Sequence, residues 1–255
     1  MATKKKSSSS SAAAQRRRQR NRILSEKSSW PVQEAYRVLR TNIQFTLPGE
    51  GNRVIGVTSA FQHDGKSTNA LNVAISFGQL DKKVLLIDCD LRKPSIDGML
   101  KVPGKPGLSD VLAGMATLEE SLQHLEDRKI DLLPGGHIPP DATMLLQSSA
   151  MKKLINRLKG SYEYIIIDLP PVTAVTDAVI LSEVVDGYLV VVRHKVTDYR
   201  AVSDTIEQLR FAEGNILGFI YNDYAAEGSK YGYGYGGYGG SGYGYGYGHE
   251  AKQTE

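Results

Sequence analysis

Two five-residue runs, YIIID at 164–168 and YLVVV at 188–192, constrain the fold more than anything else in the chain. A strand with one face in water alternates apolar and polar side chains. Runs that are apolar on both faces suit strands buried between two layers of helix, as in a parallel sheet. Further β-branched runs at 54–58, 84–88, 130–133 and 216–221 alternate with helical patterns at 66–80, 108–113, 150–159, 174–184 and 199–211. The expected fold class is therefore α/β, a doubly wound and mostly parallel sheet. Ligands of such sheets bind beyond the carboxyl ends of the strands, so the residues that follow each strand are the ones to read for chemistry.

Composition divides the chain into a basic arm at 1–29, a globular region at 30–226 and a Gly/Tyr-rich tail at 227–255. The net charge of +3 conceals an asymmetry: residues 1–30 hold nine Lys/Arg against one acid, a balance of +8 that leaves −5 for the rest. Such an arm is expected to be solvated and disordered. An anionic membrane surface is its favoured target, and no nucleic acid is expected, since no aromatic residues interleave it to stack on bases. The tail carries Tyr231, Tyr233, Tyr235, Tyr238, Tyr243, Tyr245 and Tyr247 on a glycine string. Glycine offers nothing to pack and has the most backbone entropy to lose, so these tyrosines are expected to be presented rather than buried. No apolar run approaches the roughly 20 residues of a membrane helix, and the N-terminus lacks an apolar signal core. The expected location is the cytoplasm. The single Cys89 rules out an internal disulfide and reads as a small buried residue.

After the first strand comes TSAFQHDGKSTNALNVAISFG, with Gly65-Lys66-Ser67-Thr68 opening a helix. A strand, a loop and a helix starting Gly-Lys-Ser supply backbone N–H groups, a positive helix end and an ammonium for phosphates, with the Ser67 hydroxyl available to Mg²⁺. The match to G-x-x-x-x-G-K-[ST] is imperfect: Ala60 stands at the first glycine, and Gln62, His63 and Asp64 must bend without one. The second strand ends in VLLIDCDLRKPS, placing Asp88 and Asp90 at the carboxyl end of a strand expected beside the P-loop strand. Alternation would send the two carboxylates in different directions unless the strand has already ended. A later strand ends in YEYIIIDLPP, so that Asp168 occupies the usual position for a carboxylate reaching Mg²⁺. Lys66, Ser67, Asp88 and Asp168 together can hold a Mg-nucleotide, with His63 a further candidate at a phosphate.

With these residues assembled, the chain resembles the bacterial tyrosine kinases of capsule and exopolysaccharide synthesis over roughly 34–222 and the tail. The resemblance rests on the P-loop at 60–68, the Asp-x-Asp-x-Arg motif at Asp88–Arg92, the apolar run ending in Asp168, GLSDVLAG, LLPGG and the tyrosine cluster. It implies a P-loop NTPase fold, ATP and Mg²⁺ as cofactors, and autophosphorylation of the tail in trans. It also implies a partner membrane activator of the polysaccharide chain-length type, a cognate tyrosine phosphatase, and recruitment to the inner face of the membrane. In EAYRVLRTNI, Glu34, Arg37 and Arg40 follow one another at i, i+3 and i+6 near one side of a helix. In the resembling family this pattern joins subunits into a ring. Partition and septum-site ATPases place a lysine five residues before the P-loop lysine; Phe61 stands there instead.

The expected roles are Lys66 and the loop amides on the β/γ-phosphates, Ser67 and Asp168 on Mg²⁺, and Asp88 in the metal shell or on Lys66. Asp90 would take the tyrosine proton, and Asn222 would lie at the adenine. A phenol of pKa ≈ 10 needs such a base at neutral pH. Three other readings fit the same residues: a P-loop ATPase switch that positions a partner without phosphorylating tyrosine, a scaffold that binds nucleotide without turning it over, and a Tyr/Gly tail that serves as a self-associating low-complexity segment.

Overall fold

The structure, a computed structural model of the chain, describes residues 22–47 and 51–223. The tail tyrosines and most of the basic arm lie outside the described residues. Seven strands form one sheet: β1 Arg53–Ser59, β2 Val84–Asp88, β3 Gln123–Leu125, β4 Ile130–Leu133, β5 Tyr164–Asp168, β6 Gly187–Arg193 and β7 Ile216–Asn222. Their order is β3-β4-β2-β5-β1-β6-β7. Every neighbouring pair is parallel except β3 and β4, which run antiparallel. The doubly wound α/β sheet expected from the apolar runs is thus present, closed at one edge by a short antiparallel strand that periodicity did not reveal.

One adjacency differs from expectation. β2 does not lie beside β1, because β5 is inserted between them, with Asp88 opposite Asp168 on one side and Val57 opposite Asp168 on the other. The strand carrying Asp168 is therefore central, and its carboxylate sits between the P-loop strand and the strand that ends in Asp88.

Side chains alternate across the sheet and build two cores. Ile55, Val57, Leu86 and Ile166 face one layer, formed by Ile43 of α1 (Trp30–Thr46), Leu71 and Phe77 of α2 (Lys66–Gly78) and Ile96 of α3 (Ile96–Leu100). Leu85, Ile87, Ile165 and Ile167 face the other. That layer holds α4 (Leu108–Leu112), α5 (Leu118–Ser121), α6 (Ala142–Leu146), α7 (Ser149–Lys159), α8 (Asp177–Ile180) and α9 (Tyr199–Phe211), with Met151, Ile155 and Leu209 packed inward. Four of these helices start where a side chain caps the first turn: Thr117 accepts from the Glu120 N–H before α5, Asp141 from that of Met144 before α6, Ser148 from that of Met151 before α7 and Asp198 from that of Ala201 before α9. The helix expected over 174–184 is shorter, α8 being followed by a 3₁₀ turn at Leu181–Glu183. Its start is delayed because Val172 donates to the Ser59 carbonyl at 3.0 Å and Thr173 to that of Ala60, which ties this stretch to the end of β1.

Residues 22–29, assigned to the arm on composition, contribute to the packed unit. Ile23 and Leu24 are buried, the Leu24 N–H donates to Asn72 Oδ1 at 2.8 Å, and Asn72 Nδ2 donates to the Arg22 carbonyl at 2.9 Å. Cys89 is buried, as its size and position suggested.

Close packing around β1 fixes one glycine. A Cβ on Gly56 would stand 2.9 Å from Leu169 and from the Tyr188 ring. That ring is fully buried and anchored by its hydroxyl, which donates to the Ala178 carbonyl at 2.8 Å. Gly56→Ala is expected to destabilise the fold by about 1–3 kcal/mol through overpacking. Urea unfolding checks this; an unchanged midpoint would mean that Tyr188 has room to move.

Candidate active site

β1 runs into residues 60–65, and α2 starts at Lys66. The turn between them needs left-handed backbone, and it is found at Gly65, φ 99°, and at His63, φ 69°. A non-glycine residue in that region is strained, so the loop has to be held. Asp64 is fully buried, and its Oδ2 accepts from the Phe61 N–H at 3.0 Å. Asn222, at the end of β7, donates its Nδ2 to the Asp64 carbonyl at 2.7 Å. Gly65 is required both by its φ and by this neighbour, since a Cβ would collide with Asn222 Nδ2. The second carboxylate oxygen of Asp64, Oδ1, is buried without a hydrogen-bond partner among the described residues. Gln62 and His63 are exposed, and Thr68 is half-buried.

No side chain caps the first turn of α2. Its N–H groups and the positive end of its dipole are therefore left to be met from outside the helix. Lys66 enters the helix buried, and its Nζ lies 2.8 Å from Asp90 Oδ2, 3.4 Å from Asp168 Oδ1 and 3.2 Å from Ser67 Oγ. Ser67 stands near Asp168 too, and its hydroxyl acts to lower that carboxyl's pKa. Asp88 ends β2 and accepts three backbone N–H groups, from Ser95 at 2.9 Å, Ile96 at 3.1 Å and Asp90 at 3.2 Å. The strand ends at Asp88, and the turn that follows returns Asp90 to Lys66, which is how two carboxylates that strict alternation would separate come to share one site.

Three buried carboxylates thus surround one ammonium. Burial opposes the Lys66 charge, but Asp168, Asp90 and Asp88 outweigh it and its pKa is raised. Burial and the Asp168 charge push the Asp88 carboxyl up to about 7 in spite of its backbone donors. Burial also raises Asp168, against Lys66 and Ser67. Carboxylates in excess beside a hydroxyl, facing an uncapped helix end, fit a divalent cation and a polyphosphate: the cation would meet Asp168, Asp88 and Ser67, and the phosphates the amides and Lys66.

Arg92, the arginine of the Asp-x-Asp-x-Arg motif, and Lys93, which the sequence did not single out, steady this arrangement. Arg92 donates from Nε to Asp177 Oδ2 at 3.0 Å and from Nη2 to Thr143 Oγ1 at 2.7 Å, tying the turn after β2 to α6 and α8. Lys93 donates to Gln62 Oε1 at 3.1 Å and so spans from that turn to the P-loop. No local pattern marks Asp177 or Thr143, because their partner is 85 or 51 residues away in sequence.

The protein-family model described as "AAA domain" matches residues 53–216. Tyrosine-protein kinase YwqD of Bacillus subtilis is 38% identical over 189 residues, 74% of this chain and 80% of that protein. The chain belongs to the bacterial tyrosine-protein kinases. Among solved structures of this kinase family, the kinase domain of Escherichia coli tyrosine kinase Etk matches with a TM-score of 0.73 at 33% identity, over 79% of this chain and 80% of that one. The septum site-determining protein MinD complexed with Mg-ADP, from Pyrococcus horikoshii, is more distant, with a TM-score of 0.57 at 27% identity over 67% of this chain and 70% of that one.

In this kinase, the residues named for oligomer contacts divide. Glu34 and Arg37 pair at 3.4 Å on the exposed side of α1, whereas Arg40 turns inward and donates to the Ser76 carbonyl of α2. No helix among the described residues is long and apolar enough to cross a membrane.

Because folding raises the Asp88 pKa from 3.8 to about 7, the folded chain keeps a proton that the unfolded chain has lost between those values. In the absence of divalent cations, this group's contribution to stability therefore falls as pH rises through that window. Urea midpoints at pH 5 and 7.5 should drop further for the wild type than for Asp88→Asn, which has no proton to lose. Equal drops would show that Asp88 is not the group responsible.

Proposed function

We propose that the chain is an ATP-dependent protein-tyrosine autokinase that phosphorylates Tyr231, Tyr233, Tyr235, Tyr238, Tyr243, Tyr245 and Tyr247 of a neighbouring copy. By doing so it would regulate the polymerisation or export of a capsular or extracellular polysaccharide. The observation that supports it most is the convergence of Lys66, Asp90 and Asp168 at the mouth of the P-loop, with Asp88 alongside. Family membership, and the Mg-ADP with which the MinD relative is complexed, support ATP and Mg²⁺ as its cofactors.

Phosphoryl transfer is mainly positioning and charge stabilisation. The amides of residues 62–68 would receive the β/γ-phosphates as Lys66 turns toward them. Mg²⁺, when bound, neutralises charge that develops on the phosphate oxygens. Ser67 and Asp168 would hold it, with Asp88 behind them. Lys66 now lies 2.8 Å from Asp90, and a move to the phosphates takes the cation away from that carboxylate. Asp90 is then released from its ion pair and its carboxylate is left to accept the phenolic proton. With its Nδ2 committed to the Asp64 carbonyl, Asn222 would meet an adenine through its amide oxygen.

The tail suits delivery in trans. About 20 Gly-rich residues span roughly 25 Å r.m.s., enough to reach an adjacent subunit of a ring built on the half-buried Glu34 and the exposed Arg37 of α1. Seven phosphotyrosines would add about 10–14 negative charges, whose repulsion would loosen the ring until a tyrosine phosphatase removes them. The membrane activator of the polysaccharide chain-length type, and the anionic surface that the basic arm would meet, place the work at the inner face of the membrane.

Intact-mass analysis with tail-peptide mapping tests the proposal on protein from its own cells. The expected result is a ladder of ~80 Da steps on residues 231–247, absent in Lys66→Met. Asp90→Asn should also lack it, while binding Mg-nucleotide within about threefold of wild type, a difference of under 1 kcal/mol. A tail left unmodified while polymer is being made would contradict the kinase reading and favour an ATPase switch.

A further inference from the structure

His63 holds a left-handed backbone, φ 69°, in a loop whose only glycine is Gly65. Glycine would adopt that conformation freely; histidine, like Lys101, Lys129 and the other non-glycine residues that hold a positive φ in this chain, enters it at a cost. The bonds inside the loop stop one residue short, since the Asp64 carboxylate secures Phe61 and Asn222 secures the Asp64 carbonyl. The His63 carbonyl is held from outside by Arg193, whose Nη1 donates to it at 3.3 Å.

Arg193 is fitted for that task. It is the last residue of β6, paired in register with Asn222 of β7. Both its backbone groups are engaged, its N–H with Thr197 Oγ1 at 2.9 Å and its carbonyl with the Thr197 N–H at 3.0 Å. Its guanidinium is aimed by Asp223, which accepts from Nε at 3.1 Å and lies 2.9 Å from Nη2, both on Oδ2. Asp223 is itself oriented by Arg22, whose Nη2 lies 3.1 Å from the other oxygen. A planar fork held on two sides fixes direction as well as charge. Asn222 and Asp223 are consecutive, so the end of β7 holds the loop twice, directly at Asp64 and through Arg193 at His63.

We propose that Arg193, aimed by Asp223, is a positioning residue that keeps the His63 peptide of the P-loop in its left-handed form, so that the loop amides are ready for the phosphates. It touches no reacting atom and acts through the backbone of His63. The inference rests on the nucleotide-binding role proposed above. It also answers how this loop bends with histidine where a glycine would be expected: the missing permissiveness at residue 63 is replaced by a hydrogen bond from residue 193.

The test measures Kd for Mg-ADP with full-length protein, for wild type, Arg193→Ala, Asp223→Asn and their double variant, each in the natural and the His63→Gly background. Thermal midpoints are recorded beside the affinities. Arg193→Ala should weaken binding by about three- to tenfold, as expected for loss of one partly exposed charged hydrogen bond, with the thermal midpoint little changed. Asp223→Asn should weaken it less, and the double variant should match Arg193→Ala alone, since the two act in series. In the His63→Gly background the loss should shrink to under about twofold, because glycine does not need the clamp. An unchanged Kd in Arg193→Ala would overturn the proposal. So would an equal loss in both backgrounds, which would mean that Arg193 acts by its charge on the phosphates and not through the loop. A wild type with no affinity for Mg-ADP would instead remove the nucleotide-binding reading itself, and this inference with it.

Discussion

The Lys66 ammonium, buried among Asp90, Asp168 and Asp88, is the interaction on which the rest of the molecule turns. A charge in that position would be costly alone, and removing one member of such a buried set typically costs about 3–5 kcal/mol. The carboxylates outnumber the one cation, and burial, with the Asp168 charge beside it, pushes the Asp88 carboxyl up. The site is therefore poised for a second source of positive charge. A divalent cation with a nucleotide would satisfy the aspartates while allowing Lys66 to leave them. Binding and the release of Asp90 are, on this account, one event.

The sheet explains how residues from four distant stretches meet. Inserting β5 between β1 and β2 sets Asp168 directly between the P-loop strand and Asp88. The ends of β6 and β7 lie on the other side of β1, so Arg193 and Asn222 approach the same loop from its far flank. Carboxylates thus stand on one side of the loop and hydrogen-bond donors on the other. The donors act on the backbone of residues 63 and 64, and the carboxylates act on the side chain of residue 66.

Much of this was legible in the chain, and the pattern of what was not has a physical cause. Strands buried on both faces announce themselves, and β2, β4 and β5 were read with the bounds they have. A Gly-Lys-Ser after a strand and an aspartate after an apolar run are local signals of site chemistry, and Lys66, Ser67, Asp88, Asp90 and Asp168 followed from them. Strand order is not local: YIIID does not say which strands flank it, so β2 was placed beside β1. The edge strand β3 has three residues, too short for periodicity to register. Arg193, Asp223, Asp177 and Thr143 were missed for a similar reason. Each is an ordinary polar residue in a turn or at an element's end, and what gives it a role is a partner brought close by the sheet. Arg40 shows the converse, since its helical spacing suggested a surface role and packing against α2 drew it inward.

The central claim, that Lys66 is held by the aspartates until a Mg-nucleotide takes it from them, is tested most directly by a crystal structure with Mg²⁺ and a non-hydrolysable ATP analogue. The account predicts Lys66 Nζ within hydrogen-bond distance of phosphate oxygens, the metal at ~2.1 Å from Ser67 Oγ, and Asp90 parted from the ammonium and facing the opening through which a phenol would enter. A nucleotide seated with Lys66 still on Asp90, or with the metal away from Ser67 and Asp168, would contradict it.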